Sequence, residues 1–126
     1  MSFALFQAKV NRRFSFQLFM LAKLPSAWLC GVRPVSLEAD QCVVSVPYKW
    51  LSQNPFRSVY FACQAMAAEL CTGLLAMGHS YKTNPSVSML VTGIKASFYK
   101  KADRKVYFIC AGGNAIASAV SQAIET

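Results

Sequence analysis

The chain has 126 residues, 55% of them hydrophobic and 14% charged, with a formal net charge of +8. That length makes a single domain, and that apolar share excludes an intrinsically disordered chain. So few charges suit a protein that hides part of its surface in an oligomer, and so basic a balance favours anionic partners: nucleic acid, anionic lipid, or a phosphorylated small molecule such as coenzyme A.

The thirteen Lys and Arg are scattered. Arg12-Arg13 and the Lys100-Lys101, Arg104-Lys105 turn are the only runs, and solvated loop and helix ends explain them as well as a phosphate site does. No interleaved aromatic and basic pattern and no recognition helix is found, so nucleic acid is not an expected partner. The five cysteines (Cys30, Cys42, Cys63, Cys71 and Cys110) form no CxxC pair and sit among apolar neighbours. They read as reduced, buried side chains of a cytoplasmic protein, not as a disulfide frame or a metal site. A catalytic thiol would need a base, and the one histidine, His79, falls past the end of the helix that carries Cys63 and Cys71.

In chain order, Phe3, Phe6, Val10, Phe14, Leu18 and Leu21 fall near one stripe and predict an N-terminal amphipathic helix, stopped by Pro25. Gln17 and Lys23 interrupt the apolar run and no small-x-small site follows, which argues against a signal peptide. A cationic helix of this kind can lie on a membrane surface, but packing over its own domain is the commoner fate. Residues 27–34 read as a loop or strand entry. The β-branched run 41–48 predicts a strand, with 32–37 as its partner and 38–40 as the turn. Pro47 marks an edge or an end.

Residues 49–57 are a loop. A long helix is predicted over about 58–77, with Ser58 as N-cap and Gly78 as its stop. It is apolar nearly all round, the pattern of a buried helix. Its length approaches the roughly 20 residues of a membrane span. Glu69 at its centre would cost about 2.5 kcal/mol or more in a bilayer, so no stable membrane insertion is expected. After a polar link, 87–99 alternates Val87, Met89 and Val91 with Ser88, Leu90 and Thr92 and predicts a long strand. A second strand is predicted over 106–110, then a break at Gly112-Gly113, then an amphipathic helix over 115–124. The order describes an α+β domain, a sheet wrapped about one central helix.

Glu69 is the lone charge in the most apolar stretch. An unpaired buried charge costs several kcal/mol, so a carboxylate held in that interior is either satisfied by hydrogen bonds or used.

The stretch from Asn54 to Glu69, an Asn ahead of an apolar helix that carries an acid, resembles the hot-dog-fold acyl-CoA thioesterases of the phenylacetate type. More closely, Leu24-Pro25-Ser26-Ala27, Val46-Pro47-Tyr48-Lys49-Trp50, the run from Asn54 to Ala62, and Met66-Ala67-Ala68-Glu69-Leu70 resemble an uncharacterised bacterial family of thioesterase-like hot-dog proteins. The resemblance covers essentially the whole chain. It implies a hot-dog fold, an antiparallel sheet around the central helix with a helix ahead of it, working as a homodimer with the site at the subunit boundary. The implied activity is hydrolysis of an acyl-CoA thioester, with no cofactor beyond the coenzyme A moiety of the substrate. A non-catalytic module that binds an acyl or aromatic ligand is the alternative.

By position, the resemblance makes Glu69 the base or nucleophile and Asn54 the group that orients carboxylate, water or carbonyl. The backbone N–H groups of Phe61 and Ala62 would face the carbonyl oxygen, and Arg57 and Tyr60 would line the substrate. Bland readings stand beside these: a structural carboxylate for Glu69, a turn residue for Asn54, a solvated loop arginine for Arg57, core or tunnel aromatics for Tyr60 and Phe61. The His-Gly-Gly that opens the helix in the thioesterases would fall on Tyr60-Phe61-Ala62, where it is lost. Hot-dog domains also continue past the last helix into two further strands, so the single domain, residues 1–126, reads as C-terminally incomplete, as completed by a neighbour's strands, or as a sheet built differently.

Overall fold

A computed structural model describes residues 2–125. β1 (Arg33–Leu37) and β2 (Cys42–Val46) pair antiparallel. Reciprocal backbone bonds between Glu38 and Gln41, 2.7 and 3.3 Å, close the predicted turn. β3 (Val106–Cys110) pairs antiparallel with β2, giving a three-stranded sheet in the order β1-β2-β3. Alternation sorts the faces: Cys42, Val44 and Val46, fully buried, face the core, while Val43 and Ser45 face the other way. Tyr107 and Ile109 share that outer face and are exposed. β1 carries a bulge, with Pro34 opposite Val44 and Ser36 opposite Val43, so Val35 has no partner.

α4 (Phe61–His79) crosses the inner face. Cys63, Ala67, Leu70, Cys71, Leu74, Leu75 and Gly78 recur at helical spacing and are buried against the sheet and the N-terminal helices. Each large side chain among them contributes about 1.5–3 kcal/mol through burial. The expectation of a helix buried all round is corrected: Phe61, Ala62, Glu69 and Thr72 lie exposed on the opposite stripe. The sheet and the other helices pack on the rest of the helix and leave this stripe open. By length and composition α4 could cross a membrane, but here seven of its residues are buried within the domain.

Both predicted ends of this helix shift. Tyr60, not Ser58, is the N-cap, without a side-chain bond. Gly78 lies inside the helix, where a Cβ would come within 2.6 Å of the Phe3 ring. It is a glycine of close approach, and Ser80 ends the helix.

The single predicted N-terminal helix is three: α1 (Ser2–Asn11), α2 (Arg13–Lys23) and α3 (Pro25–Leu29). Arg12, at φ −79° and ψ 82°, breaks the first from the second. The break turns α2 so that Phe16 and Met20 point inward and Phe14, Leu18 and Leu21 point out, splitting the expected stripe. Pro25 starts α3 at its first turn, where a missing N–H costs nothing.

The long strand expected over 87–99 does not form. That segment has no regular structure, and all its residues from 88 on are exposed. Alternation makes a strand only beside a neighbour, and β3 pairs with β2 alone. The segment is held at its end, where Val59 N–H donates to Ala102 O at 2.7 Å. α5 (Gly113–Glu125) closes the chain as predicted, with Val120 buried. The architecture is therefore mixed α+β: a small antiparallel sheet with a long central helix on it.

Candidate functional site

Asn54 organises the loop ahead of α4. Its Oδ1 accepts from Phe56 N–H (2.9 Å), Ser58 N–H (3.2 Å) and the Ser58 hydroxyl (3.2 Å). Its backbone closes the same turn, with Asn54 N–H on Ser58 O and Arg57 N–H on Asn54 O. Arg57 sits in the left-handed region at φ 62°, exposed, with no carboxylate within ion-pair distance among the described residues. Tyr60 is half exposed.

The turn delivers the chain into α4 with two open donors. Cys63 and Gln64 N–H groups go to Tyr60 O, whereas those of Phe61 and Ala62 have no backbone acceptor among the described residues. Beside them lies a pocket of about 280 Å³, lined by Asn54, Ser58, Phe61, Gln64, Lys100 and Lys101 among others. Phe98 stands edge-on to Phe61 at 5.6 Å and occupies part of the approach.

Glu69 lies about two turns further along, on the same side of the helix as Ala62 and roughly 10 Å from it along the axis. It is exposed, and no hydrogen bond or ion pair holds its carboxylate among the described residues. The expected interior location is thus corrected; the stripe it stands on is the one the sheet leaves open. It lines a different pocket, of about 270 Å³, with Lys23, Leu24, Pro25, Met66 and Leu70. Within one chain, then, Asn54, Phe61 and Ala62 come together and Glu69 stands apart.

A family described as "Domain of unknown function (DUF4442)" matches residues 12–115. The chain belongs to the DUF4442 family. No curated protein and no solved structure matches it. The DUF4442 match runs from the start of α2 into α5 and so includes Asn54, the start of α4 and Glu69.

Two groupings in this DUF4442 domain are invisible in the linear pattern. The first is sulfur. Cys63 Sγ lies 3.2 Å from Cys30 Sγ, and Cys71 donates to Cys42 O at 3.0 Å and to Phe108 O at 3.3 Å. Burial and the Cys30 contact push the Cys63 thiol up to about 12. The Cys71 contact and burial raise Cys42 as well. The Cys42 contact lowers Cys71, its partner in that pair. All five cysteines are unbridged. The second is charge: Arg13, Arg33, Lys49 and Lys105, far apart in sequence, line adjoining pockets on the outer face of the sheet. Strand register is the signal for them, and it is not written locally.

Proposed function

We propose that this DUF4442 chain is a hot-dog-like acyl-thioester hydrolase that works as a pair of copies, with coenzyme A esters as substrates. The observation that carries the reading is one carboxylate, Glu69, standing alone on an otherwise apolar and small-residue helix stripe that its own sheet leaves uncovered. A second copy laid over that stripe would remove Glu69 from water and enclose the cleft it shares with Lys23, Leu24, Pro25, Met66 and Leu70. Glu69 then acts as base toward water or as nucleophile toward the thioester carbonyl. The open Phe61 and Ala62 amides of one copy supply the donors for the carbonyl oxygen, since those of the same chain lie too far along the helix. Five unbridged cysteines suit a cytoplasmic setting.

The second reading, an acyl- or aromatic-ligand binding module without catalysis, is favoured by two specific observations. Asn54 Oδ1 already serves three donors, and Phe98 crowds Phe61. Purified protein assayed against a panel of acyl-CoA thioesters with a thiol-trapping dye, beside Glu69→Gln, separates them. Turnover abolished by Glu69→Gln supports the hydrolase. No turnover with thermal stabilisation by an acyl ligand supports the binder. Turnover unchanged in Glu69→Gln removes Glu69 from the chemistry.

A further inference from the structure

We propose that the outer face of the sheet carries a binding site for a soluble organic diphosphate, built on Arg33, Ser45 and Lys105, with Arg13 and Tyr107 at one end and Lys49 at the other. The inference stands independently of the hydrolase reading, because it uses the opposite side of the domain.

Register assembles the site. Arg33 is directly opposite Ser45, and Ser45 is directly opposite Tyr107. Residues directly opposite in antiparallel strands present their side chains to the same face. Lys105, two residues before Tyr107, continues the row. The other face of β2 holds the buried Cys42, Val44 and Val46, so this row looks away from α4. Two adjoining pockets, about 370 and 590 Å³, share Arg33, Ser45 and Lys105. The first adds Arg13 and Tyr107, the second adds Lys49, and neither has an Asp or Glu in its lining.

Two groups in the row ask for an acceptor. Arg33 is half-buried. Its Nη1 donates to Trp28 O and Val32 O, both at 2.9 Å, and its guanidinium stacks over the Trp28 ring at 5.1 Å. Those contacts fix the plane of the fork but supply no negative charge, and its other N–H groups meet no acceptor among the described residues. Burial lowers its pKa, the mark of a cation losing water without gaining a counter-ion. Ser45 is 3% exposed, and its hydroxyl has no hydrogen-bond partner among the described residues although it lines both pockets. A fixed guanidinium fork, a hydroxyl open to both pockets and flanking cations without a carboxylate match an acceptor-only polyanion. The pockets exceed one phosphate, and Trp28, Pro47, Trp50 and Leu51 wall the second. An apolar wall beside a cationic floor suits a phosphate ester with a planar organic body, not orthophosphate alone.

The test is calorimetric titration of the full chain at fixed ionic strength with adenosine diphosphate, inorganic pyrophosphate and adenosine as probes. Adenosine diphosphate should bind saturably, pyrophosphate more weakly, adenosine not at all. Lys105→Gln and Arg13→Gln, both at exposed positions where the fold tolerates change, should each weaken adenosine diphosphate about fivefold. Lys95→Gln, which removes the same charge from outside the groove, should leave binding unchanged within about twofold. Circular dichroism confirms that each variant is folded. The proposal is overturned if adenosine diphosphate does not saturate at millimolar concentration, or if Lys95→Gln weakens it as much as Lys105→Gln does. It is equally overturned if the protein sediments with phosphatidylglycerol vesicles and adenosine diphosphate fails to release it.

Discussion

Glu69→Gln separates the surface location of this carboxylate from the interior one that the apolar helix suggests. In the single chain the side chain is exposed and unpaired, so the substitution touches no contact. Glu and Gln have nearly equal helix propensities, and surface changes of this kind fall within about 0.5 kcal/mol. A chain of this length unfolds with an entropy of about 260 cal/mol/K, so the melting temperature should move by no more than about 2 °C. An unpaired charge in the core would behave differently, since neutralising it would stabilise the protein by several kcal/mol. A carboxylate bonded to buried amides would lose about 1–3 kcal/mol. Far-UV circular dichroism melts and urea titrations at low micromolar concentration measure the difference. A shift above about 4 °C in either direction would refute the exposed location. Repeating the melt at tenfold steps of concentration adds the assembly question, because a partner copy that covers Glu69 makes the mutant's shift grow with concentration.

Leu74→Ala, at a fully buried position facing the sheet, should cost about 3 kcal/mol and lower the melting temperature by roughly 10 °C, read from the same melts. Gly113→Ala should destabilise despite alanine's better helix propensity, by about 1–3 kcal/mol in urea, because the new Cβ would meet Ala39 O and come within 2.6 Å of Asp40 Cα, both backbone. Cys63 ionises near 9 when unfolded and is pushed up to about 12 in the fold. Its contribution is therefore whole below pH 9 and is lost as pH rises from 9 toward 12, so wild type should lose stability more steeply than Cys63→Ala across that window. Trypsin should cut first at Lys95, Lys100 or Lys101, in the exposed segment without regular structure, as mass spectrometry of early fragments will show; first cuts within α2 or after Lys49 would contradict the fold.

What the sequence makes legible is the part fixed by local period and turn chemistry. Cys42 to Val46 belongs to a β-branched run, the Glu38–Gln41 turn follows from its polar residues, and α4 and α5 follow from runs of good helix formers. The errors arise where a partner decides. The 87–99 run alternates at its start but has no strand beside it among the described residues, so its pattern leads to no pairing. α4 is apolar on both sides, and composition cannot tell which side the sheet takes; Glu69 falls on the other. Asn54 is legible as a turn residue, and its three accepted bonds are of that kind. The Arg33, Ser45 and Lys105 row is illegible in principle, because it depends on which residues of three separated segments stand opposite one another.

The unpaired Val35 in β1 decides more than the shape of one strand. Arg33 and Leu37 are four apart, an even interval that would aim both side chains in the same direction along a regular pleat. The extra residue reverses that parity partway, so a five-residue strand can send its guanidinium out and its leucine into the core. Deleting Val35 would therefore set a charge and a hydrocarbon in competition for one environment, and whichever prevailed, either the anion groove or the interior would be forfeited.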